Sequence, residues 1–236
     1  MNRQRGSAAG WILGTLIGVL VLTVAADVGL RLWTESWLAG EAQRALRLDS
    51  RPDVDLHGFP FVLEFMDGVF DRAELELEGI REGDLVLERL TVEGRRVHFS
   101  RRAVFGGAGT GTVRAEEATG KVEVTDEAAS AYLEANDVPL RVTFAGQAVR
   151  AAGTVAVAGQ EVDASATAEL VVEGGALVFR PEEIEVADSL EIPASALEFS
   201  IALPTPIEGM AYEDVTIGDG VATLSASFAR LMFRVS

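Results

Sequence analysis

The spacing of apolar residues changes from a helical to a strand period at residues 57–72, and this switch constrains the fold more than any other feature. Before it, apolar residues recur at helical intervals, and after it they alternate with polar residues for most of the chain. Pro60 fixes the backbone at the switch and can begin a short helix, which Gly68 can end. The sequence therefore predicts an α+β, mostly β fold. We expect a long curved antiparallel sheet wrapped around one or two helices, preceded by an N-terminal transmembrane or signal helix.

Large apolar residues occupy helical spacings between the proline and the glycine of this switch. They are Phe61, Val62, Phe65 and Met66. Side chains of this size need burial in protein, in lipid or against a ligand. Two interpretations stay open: a core staple that fastens the helical part to the sheet, or a lip that contacts lipid.

The N-terminal leader has the composition of a membrane helix. Residues 11–26 are uncharged and apolar and follow two arginines, as in a signal sequence or a signal anchor. Sixteen helical residues span only about 24 Å, but residues 11–33 would span about 33 Å, enough for a ~30 Å hydrocarbon core. Residues 24–26 form an acceptable cleavage site, yet the helical pattern continues through them, which favours an uncleaved anchor.

Trp11, Trp33 and Trp37 are candidate membrane-interface residues, because tryptophan is enriched where a helix leaves the bilayer. A short tail before the span and a large domain after it favour a tail-in, domain-out orientation. The sequence therefore predicts a single-pass protein of the cell membrane whose domain lies on the extracytoplasmic side, in the periplasm or cell envelope.

Four segments follow from this pattern: a basic tail at 1–10, the anchor at 11–33, an amphipathic helix at 34–51 and a β-rich domain at 52–236. The amphipathic helix carries an apolar stripe that includes Leu38, Ala42 and Ala45. This stripe belongs either to a stalk that holds the domain off the bilayer or to a helix that forms one wall of a cavity inside the curled sheet.

The second half of the chain contains a row of small inward-facing residues. Ala164, Ala166 and Ala168 take consecutive positions on one face of a predicted strand. Three alanines cannot fill the space of a sheet core, so something large must approach them. The candidates are a closely packed helix and an acyl chain in a groove, with Phe199 farther along the same groove.

The charge and composition exclude several classes of function. The chain carries a formal charge of −17, and because residues 1–26 contain two arginines and no acid, the remainder carries −19. Such a domain cannot bind nucleic acid through clustered cations. There is no cysteine, and neither His57 nor His98 lies in a ligand-spaced cluster with acids, so we expect no metal site. We also expect no cofactor and no enzymatic activity, since nucleophile and dinucleotide motifs are absent from the sequence.

One family resemblance covers most of the chain from about Asp27 onward. The segment Pro52-Asp53-Val54, the block Gly58-Phe59-Pro60-Phe61, then Gly68 and a run of alternating strands resemble the LmeA-like phospholipid-binding family of actinobacterial cell envelopes. The resemblance implies a non-catalytic protein that binds phospholipid acyl chains in an apolar groove and supports envelope lipid and glycolipid homeostasis. By analogy, the fold would be similar to the tubular lipid-binding modules.

On this hypothesis the lipid-binding residues are aromatic and sulfur side chains at the lip and small or aromatic side chains along the groove. They are Phe59, Phe61, Phe65, Met66, Ala164, Ala166, Ala168 and Phe199. The alternative is a structural or protein-interaction β-domain with a solid core, held on a membrane stalk and docked to envelope partners. The two hypotheses differ in whether the interior of the domain is filled.

Overall fold

The computed structural model describes residues 7–46, 48–100, 111–157, 160–186 and 193–235. Within these ranges the helices are α1 (Ser7–Leu46), α2 (Phe61–Asp67) and α3 (Asp126–Ala135), and a single 3₁₀ turn covers Ala194–Ala196. The remaining elements are almost all strands. The prediction of a mostly β fold preceded by an apolar helix is therefore confirmed.

The described ranges contain thirteen strands. In chain order they are β1 (Asp53–His57), β2 (Val69–Glu82), β3 (Leu85–Phe99), β4 (Gly111–Arg114), β5 (Glu117–Thr125), β6 (Leu140–Ala145), β7 (Ala148–Val157), β8 (Gln160–Glu173), β9 (Ala176–Val186), β10 (Phe199–Ala202), β11 (Met210–Ile217), β12 (Val221–Phe228) and β13 (Met232–Val235).

These strands form two curled antiparallel sheets where the sequence predicted one long sheet. The first has eight strands in the order β1-β2-β3-β5-β12-β11, and β4 pairs with both β3 and β13. The second has five strands in the order β10-β9-β8-β7-β6. Buried apolar residues from both sheets form one contiguous core. The helix α3 contacts β3 and β5 of the first sheet and β6 and β10 of the second, so it ties the two sheets together.

The helix α1 forms the apolar N-terminal leader and also packs against the domain. In the described part of the chain it is the one helix long and apolar enough to cross a membrane. Residues 16–26 are exposed, whereas Asp27 is buried, and from that point α1 packs against the domain. No break occurs at residue 33, where the sequence analysis ended the anchor. Within α1, the first contact with the domain is at Asp27, and the bounds of the anchor stay a prediction.

The short helix α2 begins and ends as its sequence predicts. Its first residue follows Pro60, and Gly68 ends it in the left-handed conformation with φ 75°. The N–H of Gly68 donates to the carbonyl of Glu64 at 2.9 Å, which satisfies a carbonyl at the end of the helix. Glycine takes this conformation without steric cost, and the chain then turns directly into β2.

Candidate functional site

A cavity of about 90 Å³ lies between the C-terminal half of α1 and the first sheet. This is several times the ~10–15 Å³ that admits one water molecule. Its walls come from α1, from β1, β2 and β3, and from the region of β4. Principal lining residues are Leu38, Ala42 and Ala45 of α1, Val54 and Leu56 of β1, and Phe70, Leu75, Val92 and Phe99 of β2 and β3. The apolar stripe of the amphipathic helix thus forms one wall of a cavity, which was the second of the two interpretations that the sequence left open.

Apolar side chains form most of the cavity lining. Among the described residues that line it there are two acids and no cationic side chain. Its two acids are Glu41, which is ion-paired with Arg44, and Glu74, whose Oε2 lies 3.9 Å from Nε2 of His57. A phosphate group needs cationic or N–H donors, which the lining side chains do not supply. An alkyl chain needs only apolar contact, so the cavity suits hydrocarbon.

Small residues keep this space open. Alanines line it at positions 42, 45, 73 and 115, and Gly94 lies among them on β3. A Cβ at Gly94 would lie 3.2 Å from both the Cβ of Ala115 and Cγ2 of Val97, which is tighter than an ordinary contact. Larger side chains at these positions would therefore fill the cavity or push its walls apart.

A backbone irregularity in β3 turns Val97 and Phe99 toward the cavity. Gly94 and Val97 both line it, although strict strand alternation puts residues three apart on opposite faces. Between them, Arg96 has φ 49°, a left-handed conformation that is uncommon for a residue other than glycine. The strand changes face at this point, and Val97 and Phe99 consequently face the same cavity as Gly94.

Four phenylalanines form the end of the cavity next to α2. Phe70 and Phe99 line the cavity and stack with ring centroids 4.4 Å apart. Behind them, Phe61 stacks on Phe70 at 5.2 Å and Phe65 packs on Phe99 at 5.4 Å. The inner face of α2 is therefore separated from the cavity by one layer of aromatic rings.

Asp27 of α1 holds the N-terminus of α2. Its carboxylate accepts hydrogen bonds from the backbone N–H of Phe61 at 3.1 Å and of Val62 at 2.8 Å. Pro60 precedes the helix and supplies no side-chain cap, so the acceptor comes from 34 residues earlier in the chain. An acid at this position is also favourable for the helix dipole.

A second carboxylate fixes β1 against α1. Glu35 is buried, and its Oε1 accepts the backbone N–H of Leu56 at 2.9 Å and Nε of Arg31 at 2.7 Å. Arg31 also donates to Asp55 at 3.0 Å, and its hydrogen bond to Glu35 raises the pKa of this guanidinium. These bonds keep α1 in register with the strand that borders the cavity.

The structure divides the predicted lip into buried and exposed residues. Phe61 is 0% exposed and Phe65 is 5% exposed, so both belong to the core as the staple interpretation expected. Phe59 and Met66 are 76% and 59% exposed and lie on the outer side of α2. Leu63, which the sequence analysis did not single out, is 57% exposed between them. Its signal was its spacing, four residues after Phe59 and three before Met66.

The predicted groove residues lie in the second sheet, away from the cavity lining. Ala164, Ala166 and Ala168 are buried on β8, which approaches β11 of the first sheet. The expectation that a closely packed helix or an acyl chain lies against the three alanines stays a prediction. Phe199 stacks on Phe179 with centroids 4.6 Å apart and belongs to the same core.

The three tryptophans occupy different environments along α1. Trp33 is half-exposed, and Trp37 is partly buried against the domain core. Trp11 lies in the described backbone of α1, and its side chain is outside the described part of the structure. We therefore keep Trp33 as the candidate interface residue near the domain and assign Trp37 to packing.

A curled, β-rich domain that closes a hydrocarbon-lined cavity with an apolar helix defines the class of proteins that receive an apolar ligand. A family model described as LmeA-like phospholipid-binding matches residues 25–226, most of the chain. The chain belongs to this LmeA-like phospholipid-binding family, which confirms the resemblance seen in the sequence. No curated protein and no solved structure gives a significant match to the chain.

Proposed function

We propose that this protein is anchored in a membrane by α1 and binds phospholipid acyl chains in the cavity between α1 and the first sheet, without catalysing a reaction. The observation that carries the proposal is the hydrocarbon lining of that cavity in a chain of a phospholipid-binding family. Burying one methylene group gains about 0.8 kcal/mol, so a few of them give measurable affinity without any catalytic residue.

The size of the cavity sets how a lipid would occupy it. Leu38 and Ala45, the two ends of the lining on α1, are about 10 Å apart along the helix axis. A phospholipid acyl chain spans about 15 Å, half of the ~30 Å hydrocarbon core. The cavity therefore accepts part of one chain, and a complete chain requires α1 to move away from the sheet.

The anchor and its orientation follow from the point at which α1 meets the domain. Residues 7–26 precede this point and cover about 30 Å as a helix, which matches the hydrocarbon core. With the arginine-containing tail on the cytoplasmic side, the domain lies on the extracytoplasmic side of the cell membrane. There it would support envelope lipid and glycolipid homeostasis, as the family resemblance implies.

Native mass spectrometry on the full chain, purified in detergent and followed by lipid extraction, tests the proposal. We expect phospholipid in stoichiometric amount with the unmodified chain. The variant Ala42→Phe, which places a phenyl ring in the cavity, should lose most of that lipid. Gln43→Phe adds the same ring to the neighbouring position, which does not line the cavity, and should keep it.

The contrary result is a lipid-free mass that stays lipid-free after incubation with phospholipid vesicles. That result would favour the structural or protein-interaction domain with a solid core. Equal lipid in the Ala42→Phe and Gln43→Phe variants would mean that lipid binds elsewhere, and the cavity would lose its assignment.

A further inference from the structure

The outer face of α2 carries an apolar stripe that no part of the cavity uses. Leu63 and Met66 lie three residues apart on α2, Phe59 lies just before the helix, and more than half of each of the three side chains is exposed. On the opposite side, Phe61 and Phe65 are buried. The helix α2 therefore has apolar residues on two faces. One face is buried in the core, and the other is in contact with water unless a second apolar surface covers it.

The position of α2 relative to the anchor decides what covers this stripe. Asp27 is the first buried residue of α1 after the exposed residues 16–26, and its carboxylate holds the N-terminus of α2 through two hydrogen bonds. The start of α2 is therefore at the level where the anchor leaves the hydrocarbon core. Met66 lies four residues after Val62, about 6 Å along the helix axis. The headgroup layer is about 5–8 Å thick on each side of the core, so Leu63 and Met66 both fall within it.

The negative charge of the domain favours a membrane contact made by apolar side chains. The chain beyond residue 26 carries a formal charge of −19, so a bilayer with anionic lipids repels it. Exposed phenylalanine, leucine and methionine side chains bind the interface through buried apolar area, which does not need cations. Such a contact complements the anchor because it fixes the orientation of the domain as well as its distance from the bilayer.

We propose that Phe59, Leu63 and Met66 insert into the outer headgroup region of the membrane that holds α1, so that α2 lies on the bilayer surface. This inference rests on the anchoring role in the proposed function. With α2 on the bilayer surface, the rings of Phe70 and Phe99 separate the bilayer from the cavity. The inner face of α2 packs behind these rings.

Fluorescence quenching on the full chain in phosphatidylcholine vesicles tests this contact. The chain contains no cysteine, so a single introduced cysteine carries an environment-sensitive fluorophore at one known place. The test position is Leu63→Cys, with Phe59→Cys as a second reporter on the same stripe. Val21→Cys reports the anchor, and Gln147→Cys reports an exposed turn of the second sheet. Each substitution is at an exposed site, so none removes core packing.

We expect lipids that carry a doxyl quencher to reduce the fluorescence at positions 21, 63 and 59, with little reduction at position 147. Quenching at position 21 with a signal at 63 and 59 equal to that at 147 would overturn the docking of α2 and leave the anchor intact. A second copy of the chain or a protein partner on the stripe would give that same unquenched signal. Absence of quenching at position 21 as well would overturn both the anchor and the docking.

Discussion

The replacement Asp27→Ala tests the link between α1 and α2 most directly. It removes the carboxylate that accepts the backbone N–H of Phe61 at 3.1 Å and of Val62 at 2.8 Å. The N–H of Phe61 is buried and loses a charge-assisted bond, which costs about 1.5–3 kcal/mol. Val62 is half-buried and regains water, so its loss is about 0.5–1 kcal/mol. The free energy of unfolding should fall by about 2–4 kcal/mol in total.

This loss can be measured as a melting temperature and as local hydrogen exchange. For a domain of this size, 1 kcal/mol corresponds to about 2–4 °C, so the full chain in detergent should melt roughly 4–16 °C lower. Amide exchange in α2 should accelerate more than exchange in α3, which lies in the core between the sheets. Asp67→Ala is the matched control, because it removes an exposed acid from the same helix α2 and should change stability by no more than about 0.5 kcal/mol.

The reasoning fails if Asp27→Ala melts together with Asp67→Ala and the α2 amides keep their protection. In that case the two hydrogen bonds do not hold α2 against α1. The membrane docking of α2 would then lose its geometric basis, although the anchor itself would stand.

Three further predictions concern the core, the second sheet and pH. Phe61→Ala should lower the free energy of unfolding by about 3–5 kcal/mol because its ring is fully buried, whereas Phe59→Ala should change it by less than about 0.5 kcal/mol in detergent, both measured by chemical denaturation. Gly153→Ala should destabilise the second sheet, because the new Cβ would lie 2.0 Å from the backbone oxygen of Pro139, and the melting temperature should fall while the lipid content per folded molecule stays constant. Burial raises the pKa of Glu64, so the native state holds the proton more tightly than the unfolded chain does. The free energy of unfolding should therefore fall as pH rises from the unfolded pKa through the raised pKa. In a series of thermal melts at different pH, Glu64→Gln should flatten this slope.

The sequence predicted correctly where the features depend on neighbouring residues. The limits of α2 follow from a proline and a glycine eight positions apart, and both act on the backbone locally. The β-rich fold follows from period-2 alternation, and the long N-terminal helix from an uninterrupted apolar run. The family was likewise visible in a short block around Gly58 and Pro60, and the match over residues 25–226 confirms it.

The candidate site was only partly visible, since helical spacing does not say which face of a helix meets the core. Phe61, Phe65 and Met66 share one pattern in the sequence, yet the first two are buried and the third is exposed. The choice depends on Phe70 and Phe99, which reach α2 only when β2 and β3 are paired. The alanines of β8 posed a similar problem, because their small size indicated a close neighbour without identifying it.

The sequence by itself determined the apolar leader, the strand-rich domain, the acidic surface and the turn at Pro60, because each depends on composition or on residues a few positions apart. Only the tertiary structure decided where the apolar cavity lies and where α1 begins to pack against the domain. The cavity joins Leu38 and Ala42 of α1 to Val92 of β3, and Asp27 reaches across 34 residues to the start of α2. Such contacts between distant segments form when the chain buries its apolar surface and satisfies its backbone donors together, which no local period encodes.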